Sequence, residues 1–304
     1  MKSRMALKLA LNIACGFMYN NDKGIWEDIG EPLPALFIST ELVKDELYTM
    51  CMAFVSGVEE HKILEGKMNG DEEERVLKAI EILKASQLHM EYIGDFDIES
   101  ITNAIEKHII TNKVGYVFFD YIHMSASLLT SLKKTTGVSL REDQVISLCG
   151  TKFKELAQKY QIVFYTSTQL NRQAIENKNE INLNTIRGSF GLADKCDYLG
   201  IMVAPTTEEI EVLKKLGFVD ENATGHNLPN TVTYVRKNRG GRLNNVRLYT
   251  YVNRGNMRTK FFAILDDDLR PISIEVDTFD VGVNERSEER LAWLNTKGNM
   301  VIQM

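Results

Sequence analysis

Two short runs, Val114 to His123 (VGYVFFDYIH) and Ile162 to Arg172 (IVFYTSTQLNR), constrain the fold more than any other part of the chain. Each is a block of β-branched and aromatic residues, the composition of a strand buried on both faces, and such strands belong to parallel sheets covered by helices. Each block then ends in polar residues: Asp120 in the first, and Gln169 and Arg172 after small hydroxyl residues in the second. Open α/β sheets keep their ligands at the carboxyl ends of their strands. One strand ending in an acid and another in a polar amide points to a nucleotide-hydrolysing core.

The first residues extend that reading. Ala6, Leu9, Ala10, Ile13, Ala14 and Phe17 recur at the three- and four-residue spacing of an amphipathic helix, which opens at Lys2-Ser3. A phosphate-binding loop reads G-x-x-x-x-G-K-[ST] and opens such a helix, with Lys on the outer phosphates and the hydroxyl on Mg²⁺. Only the K-S pair is present here, without the glycines or their strand.

At 304 residues and 44% hydrophobic, the chain has the length and composition of one large α/β domain or two small ones. With a net charge of -6, the total gives no argument for a general affinity for nucleic acid, but charge is unevenly distributed. From Asn222 to Leu265 there is no Asp or Glu, while Arg236, Lys237, Arg239, Arg242, Arg247, Arg254, Arg258 and Lys260 fall inside. A one-signed segment creates its own local field; the same run also suits a solvated hairpin face. Cys15, Cys51, Cys149 and Cys196 fit neither a metal-binding nor a disulfide spacing, so a reduced, cytoplasmic protein is expected. The five histidines are equally scattered, no apolar run reaches the length of a membrane span, and Lys8 and Asn12 interrupt the N-terminal stretch that otherwise looks like a secretion signal.

Along the chain, residues 20–34 read as a polar loop and Ala35 to Ser39 as a buried strand. Val43 to Val55 follows as a helix, and Asp71 to Ser86 as another, capped by Asp71 with Glu74 three positions on. Leu88 to Ile93 is a strand, Ile98 to Ile110 a helix, and Ser125 to Ser139 a mobile basic loop carrying Lys133 and Lys134. Helix Glu142 to Tyr160 precedes the Ile162 strand, an Asn-rich loop follows it, and Tyr198 to Val203 is another buried strand before helix Thr206 to Leu216. Thr231 to Lys237, Val246 to Val252 and Thr259 to Ile264 read as antiparallel strands. The alternation predicts an α/β fold with a mainly parallel sheet flanked by helices and an antiparallel C-terminal edge. The acidic residues 266–304 read as a tail.

Phosphoryl transfer needs a phosphate cradle, Mg²⁺, a group that orients water, and positive charge at the γ-phosphate. Lys2 and Ser3 are the candidates for the cradle, Asp120 for the magnesium acid, Glu41 at the tip of the ALFIST strand for the base, and Gln169 for the γ-phosphate sensor, since an amide both donates and accepts. An Arg in the VRKNRGG turn is either a finger into a neighbouring subunit's site or a phosphate contact for nucleic acid.

The series STEL (Ser39 to Leu42), FFDYIHM (Phe118 to Met124), TSTQLNR (Thr166 to Arg172), IRGSFGLADKCDYLGIMV (Ile186 to Val203) and VRKNRGG (Val235 to Gly241) resembles the motor domain of DnaB-type replicative helicases over about residues 2 to 265. The resemblance implies a RecA-like domain over residues 1–265 lacking its first strand and phosphate-loop glycines. It also implies an ATP- and Mg²⁺-dependent DNA helicase whose ring, usually of six subunits, moves on single-stranded DNA. By motif, Lys2 and Ser3 resemble the phosphate-binding pair, with Ser3 and Asp120 on magnesium, Glu41 the catalytic acid and Gln169 the sensor. Lys237 and Arg239 resemble the cation pair reaching a neighbour's nucleotide, and the loops carrying Lys133, Lys134, Arg172 and Arg187 correspond to those facing DNA. Primase or a helicase loader is the partner implied for the family's N-terminal region. Two further readings stay open: a catalytically silent nucleic-acid-binding or ring-assembly subunit, and a recombinase- or clock-type ATPase on the same core.

Overall fold

In the computed structural model, residues 2–138, 140–169, 189–241 and 243–273 are described. Ala35–Ser39 (β3) is buried at all five positions because it lies inside a parallel sheet of order β4-β3-β5-β6, between β4 (Leu88–Tyr92) and β5 (Tyr116–Asp120), with β6 (Val163–Thr166) beyond. Alternate side chains of a strand point to opposite faces, and the two cores divide on that basis. Ala35, Phe37 and Phe118 enter one core with α1 (Lys2–Ala14), α2 (Lys44–Ser56) and α4 (Gly70–Lys84). Leu36, Ile38, Val117 and Phe119 enter the other with α5 (Ile98–Asn112), α6 (Ala126–Thr136) and α7 (Glu142–Tyr160).

The helix at the start of the chain forms as its periodicity predicts, rotated slightly. Ala6, Ala10 and Ala14 are buried with Leu7 and Leu11, whereas Leu9 and Ile13 lie at the margin. Phe17 belongs to β1 (Phe17–Asn20), which pairs with β2 (Ile25–Asp28) in a hairpin where the composition suggested only a loop. Its register sets Tyr19 opposite Trp26, and the rings pack edge-on at 5.4 Å. The Asn20 side chain accepts the amides of Asp22 and Lys23 and closes the turn.

Three further expectations are corrected. The α4 cap is Asn69, reciprocated by Glu72, rather than Asp71 with Glu74, because Asn69 is the last extended residue. Residues 126–136 are a helix rather than a mobile loop: Ser125 caps its start, Leu128 is buried beneath it, and Gly137 ends it in the left-handed conformation. The Tyr198–Val203 strand (β7) is only partly buried and pairs antiparallel with β8 (Thr231–Asn238). It forms one edge of a separate sheet, β10-β9-β8-β7, with β9 (Val246–Val252) and β10 (Thr259–Asp266). Among the described residues no strand pairs with the outer edges of β6 and β7, and Val163 and Tyr198 are 56% and 54% exposed there.

Helix α8 (Ser189–Lys195) joins the two halves by lying on α7. A side chain at Gly150 would meet Leu192 Cδ1 at 2.7 Å, so glycine permits the close approach, and Lys154 of α7 pairs with Asp197 just beyond α8. On the opposite flank the β9–β10 turn docks on the first half. Asn256 donates to Gly57 O at 3.2 Å, Asn253 to Glu59 at 2.7 Å, and Arg258 to Tyr19 O at 2.7 Å. Burial pulls the Arg258 guanidinium down to about 10. Helix α3 (Glu60–Glu65), not apparent from the sequence pattern, starts at this junction, and α9 (Thr207–Lys215) covers the antiparallel sheet. No helix of the described residues is long and apolar enough to cross a membrane.

Candidate functional site

The carboxyl ends of β3, β5 and β6 meet the first turn of α1, and there the structure assembles five sequence-predicted residues. Asp120, the last residue of β5, is fully buried. Burial pushes its carboxyl above the usual range, against the Ser3 side chain, the Lys2 charge and the Ser167 hydroxyl, which donates to Oδ1 at 3.3 Å. The other oxygen, Oδ2, makes no full hydrogen bond. Lys2 Nζ is likewise buried without a hydrogen-bond partner and stands 3.6 Å from the centre of the Tyr121 ring. Burial lowers the Lys2 ammonium from its ordinary value, with the charges of Asp120 and Glu41 holding it up. Glu41, two residues past the end of β3, is exposed and near enough to act electrostatically on both. Gln169, beyond β6, is exposed and donates to the Tyr121 hydroxyl at 3.3 Å.

A second set of residues holds the strand ends together, and the sequence reading missed it. Thr40 N–H and Oγ1 both donate to Asp120 O, at 2.9 and 3.1 Å, and Tyr121 N–H donates to Thr40 Oγ1 at 3.3 Å. His123 Nδ1 lies 3.2 Å from Tyr121 O and 3.5 Å from Thr40 Oγ1, and its ring packs edge-on against Phe96. The signal was present in the sequence: Tyr121 and His123 follow Asp120 directly, and Thr40 precedes Glu41. Their roles depend on contacts across 80 or more residues.

The remaining candidates lie apart from this cluster. Lys133 and Lys134 are exposed on the last turn of α6, the helix that leaves the end of β5. Lys237, on β8, donates to the carbonyls of Ala193 and Asp194 at the end of α8, at 2.8 and 3.1 Å. Arg239, just past β8, is largely exposed and pairs with Asp197 at 3.3 Å. Arg172 and Arg187 lie outside the described residues.

The cluster combines the residue types that a polyphosphate–magnesium site would use. A cation and a carboxylate oxygen, both buried and both lacking hydrogen bonds, are costly unless a ligand completes them. The described residues contain no group of three or more His, Cys, Asp or Glu able to hold a metal, so they form no all-protein cage. One carboxylate and one hydroxyl are the usual protein share of a Mg²⁺ otherwise held by phosphates and water.

The family model of the DnaB-like helicase C terminal domain matches residues 2–257. The SPbeta prophage-derived uncharacterized protein YorI of Bacillus subtilis is 36% identical over 276 residues, covering 88% of this chain and 53% of that protein. The replicative DNA helicase DnaB of Helicobacter pylori is 25% identical over 212 residues, covering 66% of this chain and 40% of the helicase. The chain thus spans about half the length of the curated relatives it matches. Among solved structures, one ATPase domain superposes with a TM-score of 0.60 at 16% identity, covering 84% of this chain and 79% of that one. A DnaB-like replicative helicase studied with primase gives 0.59 at 15%, covering 85% and 54%. These likenesses establish the RecA-like fold. With a family model matching residues 2–257, the chain belongs to the DnaB-like helicase C-terminal domain family.

Proposed function

We propose that this chain is the ATP-hydrolysing motor of a DNA helicase, acting on single-stranded DNA within a ring of identical subunits, in the cytoplasm and in replication. The observation that carries the reading is the pair of unmatched polar atoms, Lys2 Nζ and Asp120 Oδ2, near enough to act on one another electrostatically at the carboxyl end of the parallel sheet. Bound Mg–ATP supplies the phosphoanhydride to be cleaved and the cation that balances its charge. Lys2 would bind the outer phosphates, and Ser3 and Asp120 would hold magnesium, Asp120 kept in place by Ser167 and by Thr40 on its backbone. Glu41, exposed at the rim, would accept the proton of the attacking water, and Gln169 would orient the γ-phosphate side of the site. Lys237 and Arg239 would serve a neighbouring subunit. Lys133, Lys134, Arg172 and Arg187 would contact DNA phosphates. Primase and a loader are the protein partners under this reading.

A second reading is a ring-assembly or nucleic-acid-binding subunit without turnover. A phosphate-binding loop provides backbone N–H donors to the phosphates, and Lys2 alone is a weaker anchor. The two readings separate by experiment. The chain alone should bind Mg–ATP more weakly than low-micromolar in titration calorimetry. With a glycine-rich loop fused ahead of Lys2 it should hydrolyse ATP in a DNA-stimulated manner, and Glu41→Gln should then cut turnover by about 10²-fold or more while sparing binding. Retained turnover in Glu41→Gln removes the base assignment, and absence of turnover in the fused protein favours the second reading.

A further inference from the structure

We propose that Tyr121 is a positioning residue that sets both phosphate-facing groups, Lys2 through its ring and Gln169 through its hydroxyl; this rests on the nucleotide-site reading above. Three observations meet at this side chain. Lys2 Nζ sits 3.6 Å from the ring centroid and spends no N–H on any hydrogen bond. Gln169 Nε2 donates to the hydroxyl at the far end of the same ring at 3.3 Å. The backbone of Tyr121 is itself anchored, its N–H donating to Thr40 Oγ1 at 3.3 Å beside the strand tip that carries Glu41.

The chemistry of each contact differs, and that difference makes the proposal testable. A π face attracts an ammonium without consuming its N–H donors, so Lys2 is held partly dehydrated with its donors available to an anion, which lowers the ordering cost of binding a phosphate. The hydroxyl accepts one of the two amide hydrogens of Gln169 and so restrains the orientation of the amide. One ring thereby fixes the spacing between the group that binds the phosphates and the group that senses them. Tyrosine meets both demands: phenylalanine retains the first and loses the second, and leucine loses both.

The experiment compares Tyr121→Phe and Tyr121→Leu with the unaltered chain, with thermal melting as a check on folding. Acetylation of the Lys2 amine by an N-hydroxysuccinimide ester, read by mass spectrometry of the N-terminal peptide, should proceed at the unaltered rate in Tyr121→Phe and about fivefold faster in Tyr121→Leu, as the ring covering the ammonium is lost. Equal rates in all three proteins overturn the proposal whether or not the chain hydrolyses ATP. In the Mg–ATP assays, Tyr121→Phe should keep KM within about twofold and lower kcat by about fivefold, the worth of one hydrogen bond, whereas Tyr121→Leu should also raise KM by about fivefold. A purely structural role would move both parameters together in both variants, and that result sinks the positioning role. Failure of the unaltered protein to bind or hydrolyse Mg–ATP in any form strikes the functional reading instead, and the labelling then decides on Tyr121 by itself. Should Tyr121→Leu not fold, Tyr121→Met, likewise without a ring or hydroxyl, carries the same expectations.

Discussion

Glu209 is a buried carboxylate that keeps its charge. It is 3% exposed on α9, and burial alone would push its carboxyl up, but the Thr206 amide, the hydroxyls of Tyr249 and Tyr234 and the Arg247 guanidinium outweigh that and hold it below the usual carboxylate range. Because the folded value lies below the unfolded one, its contribution to stability is complete above the unfolded carboxylate value of ~4.3 and is lost as pH falls through the folded value. Glu209→Gln should therefore cost about 3 kcal/mol near neutrality, because it leaves Arg247 and two tyrosines facing an amide, and the difference from the unaltered protein should shrink below about pH 4. Urea melts of both proteins across pH 3 to 8 measure this; a difference independent of pH would mean that the charge at Glu209 is not what stabilises the cluster. At this scale the sequence was readable where a residue ends a strand or follows it closely, as with Asp120 and Gln169. It was unreadable where a residue acts through a distant partner, as with Thr40, Tyr121 and Glu209.

Among the elements, α6 shows how composition misleads. Its Ser, Thr, Lys and Gly content resembles a loop, yet Leu128 reaches the core, Ser125 and Gly137 cap the two ends, and the segment is helical. The structural consequence is that Lys133 and Lys134 have fixed places on the last helical turn, where basic side chains also suit the helix dipole. If they contact single-stranded DNA through phosphates, replacing both by alanine should weaken binding for every sequence tested and reduce the slope of log affinity against log salt by about 1.4. Fluorescence anisotropy over a salt series gives both quantities, and an unchanged slope would place the DNA path elsewhere. The long helix Glu142–Tyr160 and the strand Val246–Val252 were legible to the residue because their apolar periodicities run without interruption. The β1–β2 hairpin was not, since its four-residue strands are defined by pairing with each other.

At the level of the whole molecule, the parallel and antiparallel sheets are separate layers held by α8 on α7 and by the β9–β10 turn on α2 and α3. Arg239 belongs to the antiparallel half, tethered to Asp197, and among the described contacts it does not touch Lys2, Glu41, Asp120 or Gln169. This separation fits a side chain that serves a neighbour's site. In a ring-forming protein carrying a glycine-rich loop ahead of Lys2, Arg239→Ala should bind ATP yet lose about 10³-fold or more in turnover. Mixing it with Glu41→Gln should restore part of the activity, because some interfaces then pair an intact Glu41 with an intact Arg239. Mixed rings that show no recovery at any ratio would assign Arg239 to a DNA phosphate contact instead.

The sequence by itself determined the α/β class, the parallel strands and the residues at their carboxyl ends, because a buried strand declares itself through an uninterrupted apolar run and its end through the polar residue that stops it. The family motifs are likewise local strings. Only the tertiary structure decided that β7 takes an antiparallel partner in a separate sheet, that α6 is a helix, that Lys2 rests on Tyr121, and that an Asp120 oxygen is left unmatched. Those outcomes depend on which distant segments compete for each edge and each buried face, and no local pattern records that competition.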